Sequence, residues 1–135
     1  LQNLSFTVAQ HETLLILGSS GCGKSTLALT LNGLIPHDIE AEISGSIKVA
    51  GVNAATASVE TLTRQIGVVF QDAEAQFCTL NVADEVAFGL ENLGIPRSEM
   101  DERIHRALAQ VGLAGMEQRA LRRLSGGEKQ RLALA

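Results

Sequence analysis

The segment GSSGCGKST, Gly18–Thr26, constrains this chain more than any other feature. It fits G-x-x-x-x-G-K-[ST], it follows the apolar run Thr13–Leu17, and from Lys24 the residues Leu27, Ala28, Leu31 and Leu34 recur at helical spacing up to Pro36. A buried strand, a glycine loop and a helix in that order bring backbone amides, a helix amino end and one lysine to a single point. That combination suits phosphate. Gly18, Gly21 and Gly23 are expected to take positive φ and to let N–H groups approach oxygens with no Cβ in the way, with Ser19, Ser20 and Cys22 between them. Lys24 is expected to reach the β- and γ-phosphates of a nucleotide, Ser25 to hold Mg²⁺ through its hydroxyl, and Thr26 to complete the segment. The bland alternative is a glycine-rich turn with a chance lysine, and the order of the flanking elements weighs against it.

Around this loop the chain has an α/β order. Leu4, Phe6 and Val8 alternate with polar or small residues like a half-buried strand. Ile47, Val49 and Val52, bounded by Gly45 and Gly51, predict an antiparallel strand capped by turns. The stretch Pro36 to Gly45 predicts an exposed loop, and Ile66–Phe70 a short buried strand that runs into Gln71. After Gln71 the pattern turns helical. Asn81 with Asp84 resembles a capping box ahead of Ala83, Val86, Ala87, Leu90 and Leu93, a face that ends at Gly94. Ser98 with Asp101 predicts the start of another helix, carrying Met100, Ile104, Leu108 and Val111 before Gly112.

Bulk properties exclude several classes of function. At 135 residues and 45% hydrophobic the chain suits one packed core rather than two domains. No apolar run approaches the roughly 20 residues of a membrane span, and the start lacks the pattern of a signal peptide, which points to the cytosol. The net charge of -4, with basic residues scattered, leaves no footprint for nucleic acid. Cys22 and Cys78 lack metal-ligand spacing and are expected to be reduced thiols.

A second motif is LSGGEKQR, Leu124–Arg131. Ser125 can cap the helix that follows, and Gly126 and Gly127 leave its first amides open to a phosphate. Together with the loop at Gly18–Thr26, this makes the whole chain resemble the nucleotide-binding domain of ABC ATPases. The resemblance implies an α/β P-loop NTPase core with a parallel sheet and helices, an antiparallel β subdomain and an inserted helical subdomain, incomplete at both ends. It divides 1–135 into a β-rich core at 1–72, a helical subdomain at 73–123, and the signature with the start of its helix at 124–135. It also implies ATP and Mg²⁺ as ligands, with Gln71 as the glutamine switch that contacts Mg²⁺ and the attacking water. Ser125, Gly126 and Gly127 then act in trans, on the nucleotide of a second ATPase domain that forms a head-to-tail pair.

The same resemblance marks what these residues lack. No aspartate–glutamate pair of the Walker B kind and no adenine-stacking aromatic matches the family's positions, and His11, His37 and His105 are not its switch histidine. The helix opened at Ser125 is unfinished at Ala135. The chain is thus expected to be a fragment or an ordered portion, inactive by itself. The stretch Gln71 to Pro96 is similar to ATPase subunits of energy-coupling factor transporters, which import vitamins and metal ions such as cobalt and nickel. It resembles the groove in which those subunits receive a coupling helix of a transmembrane partner, implying a peripheral place at the cytoplasmic face of the membrane. Val86 and Leu90 suit subdomain core as well. Ala73 departs from the proline usual there. Three alternatives stay open: Asp72 as the metal carboxylate, a degenerate domain that holds ATP structurally, and a soluble ABC ATPase without a transport role.

Overall fold

A glycine, rather than the proline, breaks the first helix. In the computed structural model, which describes residues 1–135, α1 spans Lys24–Leu31 and is capped by Asn32. Gly33 takes φ +81°, and a Cβ there would meet Leu62 Cδ1 at 2.5 Å, so only glycine fits where the path turns. The expectation that the helix runs up to Pro36 is corrected. A short second helical turn, α2 (Leu34–His37), contains Pro36, tolerated because first-turn amides have no intrahelical acceptor.

The chain folds as two compact units, Leu1–Val68 and Val69–Ala135. The first holds α1, α2, the strands β1 (Lys48–Val49) and β2 (Val52–Asn53), and the short helix α3 (Val59–Thr63). Where one strand was expected across Ile47 to Val52, the chain makes an antiparallel hairpin with Val49 opposite Val52. Ala50 and Gly51 form its turn, both at positive φ (49° and 82°), the requirement of a type I′ connection. Gly51 is therefore the turn, not a strand end. α3 was not foreseen, although its signal is present: the Ser58 hydroxyl accepts from the Thr61 N–H at 3.2 Å. Ala54 and Leu62 are fully buried and Ile35 nearly so.

The strands expected at Leu4–Val8, Thr13–Leu17 and Ile66–Phe70 do not form ladders; β1 and β2 make the one sheet. Leu15 is 76% exposed and Leu17 81%. Apolar patterning marks a segment as suited to a sheet, but a strand also needs a hydrogen-bonded neighbour, and none of these three segments has one here.

The second unit is helical: α4 (Val82–Asn92), α5 (Arg97–Gln110) and α6 (Gly126–Leu132), with 3₁₀ turns at Glu74–Gln76 and Leu121–Arg123. Val82, Val86, Met100, Ile104, Leu108, Leu113 and Leu132 share one core with Leu121 and Leu124. Val86 and Leu90 belong to that core, the latter partly buried. Each fully buried leucine, Leu108 and Leu113 among them, contributes about 1.5–3 kcal/mol.

Two helix starts differ from expectation. The Asn81 side chain accepts no backbone N–H; its carboxamide donates to Asp84 Oδ2 at 3.0 Å. The Val82 and Ala83 amides donate instead to the carbonyls of Arg119 (3.1 Å) and Glu117 (2.9 Å), so tertiary structure replaces the side-chain cap. α5 is entered from Pro96, which leaves Ser98 and Asp101 inside the helix. Pro96 holds the N-cap position in an extended conformation (ψ 139°) and offers no side-chain acceptor, so α5 starts without a side-chain cap. At the end of α6, Leu134 and Ala135 donate to the carbonyls of Arg131 and Leu132, a tightened turn in place of the helix expected to continue to Ala135.

Candidate functional site

Phosphate binding needs positive charge and free donors in a small volume. Lys24 opens α1, and its ammonium folds back over the loop to donate to Gly18 O at 2.9 Å and Ser19 O at 2.8 Å, with Cys22 Sγ at 3.5 Å. The loop closes around a cation. Gly21 and Gly23 take φ of 78° and 100°, as expected, but Gly18 is not among the positive-φ residues. Its requirement is steric: a Cβ would meet Cys22 Sγ at 2.5 Å. No side chain caps the start of α1, so its first-turn amides keep their donors. These residues fit a phosphate group at the loop.

Ser19, Ser20, Ser25 and Thr26 are exposed around this point. No cluster of three or more His, Cys, Asp or Glu is placed to hold a metal. A magnesium ion here would take the Ser25 hydroxyl together with phosphate oxygens and water, which is the usual habit of that ion. Both cysteines are free and exposed.

Gln71 and the signature belong to the second unit. Gln71 is exposed and follows the exposed Val69 and Phe70, not a buried strand. The loop it opens is firmly built. Asp72 Oδ1 accepts from the Glu74 and Ala75 amides at 3.0 and 3.3 Å, and the Gln76 carboxamide donates to Phe70 O and Asp72 O, both at 3.4 Å. The Asp72 carboxylate thus satisfies the first amides of the 3₁₀ turn, whose N-cap is Ala73. Glu74 pairs with Lys129 of α6 at 2.6 Å.

Ser125 caps α6 in a closed capping box. Its hydroxyl accepts from the Glu128 N–H at 3.3 Å and donates to Glu128 Oε2 at 2.8 Å, while its own N–H donates to the same oxygen at 2.7 Å. Arg119 Nη1 lies 3.4 Å from Glu128 Oε1. The Ser125 N–H first, then its hydroxyl, then Arg119 hold the Glu128 carboxyl below the usual range. Gly126 and Gly127 leave the first turn of α6 open. Ser125, Gly126 and Gly127 were expected here; Glu128 and Arg119 were not. The S-x-x-E spacing was a legible signal for Glu128; nothing local marks Arg119.

An open groove of about 560 Å³ lies beside the glutamine loop, lined by Glu74, Phe77, Leu80, Leu121, Arg122 and Lys129 among others. Leu80 is 81% exposed on it. Of the histidines, His105 on α5 meets Glu117 at 3.0 Å, and His11 and His37 are exposed. No helix is long and apolar enough to cross a membrane.

Known proteins match along this whole length. Residues 1–135 match the family described as ABC transporter. The energy-coupling factor transporter ATP-binding proteins of Lacticaseibacillus paracasei and Enterococcus faecalis are each 47% identical over 135 residues, covering 100% of this chain and 47% of theirs. CbiO1 of Clostridium perfringens, part of the ABC transporter complex CbiONQ, superimposes with a TM-score of 0.72 at 32% identity, over 87% of this chain and 45% of that one. The chain spans about a quarter to a half of the length of the curated relatives it matches. The fold matches part of the α/β P-loop NTPase fold of ABC ATPases, and by sequence and structure together the chain belongs to the ABC transporter family.

Proposed function

We propose that this chain is the ATP-binding part of an importer subunit that couples ATP hydrolysis to uptake of a vitamin or transition-metal ion through transmembrane partners. The observation that carries the reading is the Lys24 ammonium, enclosed by the carbonyls of Gly18 and Ser19 at the uncapped start of α1. Lys24 exchanges those carbonyls for the β- and γ-phosphates of ATP, and the amides of Gly18–Gly23 complete the cradle. The Ser25 hydroxyl serves the metal, and by the family resemblance the Gln71 carboxamide takes the role of the glutamine switch. When bound, Mg²⁺ neutralises the charge that builds on the phosphate oxygens during transfer. Ser125, Gly126 and Gly127 act on the nucleotide of a second ATPase domain, in a homodimer, heterodimer or tandem arrangement.

The groove beside the glutamine loop, with Leu80 exposed and Glu74, Arg122 and Lys129 around it, receives a helix of the transmembrane partner. That contact holds the protein at the cytoplasmic face of the membrane. The relatives' names and the identity along all 135 residues support this assignment.

The test uses the whole subunit. Ser125→Arg should block ATP-driven dimerisation in sedimentation while nucleotide binding by the monomer persists. The 135-residue chain alone should release phosphate far more slowly than the subunit, since nothing in it matches the family's Walker B carboxylates. Brisk, Lys24-dependent turnover by the short chain would overturn that assignment of roles and return Asp72 to consideration.

A further inference from the structure

A serine hydroxyl has one proton, and both hydrogen-bonding roles of Ser125 are taken within its own helix turn. It donates to Glu128 Oε2 at 2.8 Å and accepts from the Glu128 N–H at 3.3 Å. A phosphate oxygen is an acceptor, so Ser125 can bind one through its hydroxyl only by turning the O–H away from Glu128. The N-cap survives that turn, because Ser125 Oγ still accepts from the Glu128 N–H at 3.3 Å and the Ser125 N–H still donates to Oε2 at 2.7 Å. The carboxylate of Glu128 thus both competes for the donor and repels an incoming anion. Its side chain is 16% exposed, which leaves that charge incompletely screened.

Arg119 acts against it. Its guanidinium sits 3.4 Å from Oε1, the oxygen that Ser125 does not use, and donates to Met116 Sδ at 3.7 Å. The backbone of the same residue is fixed, since its carbonyl accepts the Val82 N–H at the start of α4. A positive charge held there offsets the carboxylate.

We propose that Glu128 and Arg119 are positioning residues that set how readily Ser125 is released to a phosphate of the partner domain. Glu128 keeps the serine closed, and Arg119 weakens that hold. This rests on the reading of Ser125 as a ligand in trans. The two residues therefore have opposite effects. Glu128→Gln keeps an oxygen for the Ser125 N–H and removes the charge, so half-maximal dimerisation should occur at lower ATP, by about three- to tenfold. Arg119→Met should raise that ATP concentration by a similar factor, and Arg119→Lys should restore most of it.

The experiment is ATP-dependent sedimentation of the whole subunit carrying each variant, with Ser125→Arg alongside. A merely structural role would shift Glu128→Gln and Arg119→Met in the same direction, toward higher ATP. Opposite shifts, with Ser125→Arg blocking dimerisation, support the proposal. Parallel shifts, or none, with Ser125→Arg still blocking, overturn it and leave the trans assignment standing. Dimerisation unaffected by Ser125→Arg removes the trans assignment and the proposal with it.

Discussion

Lys24→Ala separates binding from folding at the phosphate loop. In the folded chain the ammonium makes two carbonyl contacts, at 2.9 and 2.8 Å, on an exposed segment. Contacts of that kind are screened by water, so their loss should cost less than about 1 kcal/mol of stability. Against a phosphate the same group makes a charge-assisted bond worth about 1.5–3 kcal/mol. Because the two carbonyl contacts are given up on binding, the net gain stays within that range. Nucleotide affinity should therefore fall about 10- to 150-fold while the melting temperature moves by only a few degrees. Titration calorimetry with MgATP and a thermal melt on the same preparation measure both. Unchanged affinity would reduce the loop to a structural turn, and a collapsed melt would make Lys24 a folding residue.

Other outcomes follow from the same geometry. Cys22 is exposed beside Lys24 in the loop, so MgATP should slow its alkylation by maleimide while Cys78, in the second unit, reacts as before; equal rates at Cys22 with and without MgATP would contradict phosphate binding there. Leu108→Ala removes a fully buried side chain from the second unit's core and should cost about 2–5 kcal/mol, read as a lower denaturation midpoint for that unit. Glu117 and Glu128 are both held below the usual carboxylate range, Glu117 by its own backbone N–H first and then by His105, Glu128 by the Ser125 N–H and hydroxyl. A depressed native value means stability that is present above the ordinary glutamate range and lost as pH falls through the native values. Replacing both by Gln should flatten the acid side of a pH series of urea midpoints, and an unchanged acid limb would contradict those contacts.

The loop and the signature were legible because each encodes its structure locally. Gly21, Gly23 and Lys24 sit where G-x-x-x-x-G-K places them, and Ser125 caps a helix as its neighbours dictate. The helical faces were legible for a similar reason, since spacings of three and four put Met100, Ile104 and Leu108 on one side of α5. Features that depend on distant partners were not. The stretch Thr13–Leu17 reads as a strand, yet without neighbours it is exposed backbone. The start of α4 read as an Asn81 cap, whereas its amides find carbonyls at Glu117 and Arg119. At Gly18 the residue type was right and the reason was not, because the contact with Cys22 lies outside any dihedral argument.

That junction at the start of α4 has a consequence for the order in which the second unit folds. The Leu121 N–H donates to Leu80 O, the Val82 and Ala83 N–H groups donate to Arg119 O and Glu117 O, and Asn81 bridges Ala120, so the helix entrance is shut by backbone that emerges after α5 is complete. Closing a loop of that size costs entropy that no local contact of α4 repays. A nascent α4 is therefore expected to fray at Val82 until the later segment arrives, and α4 and the 117–121 strip to consolidate together. Lesions in the 117–121 strip would then be felt as unwinding from the front of a helix more than 30 residues earlier in the sequence.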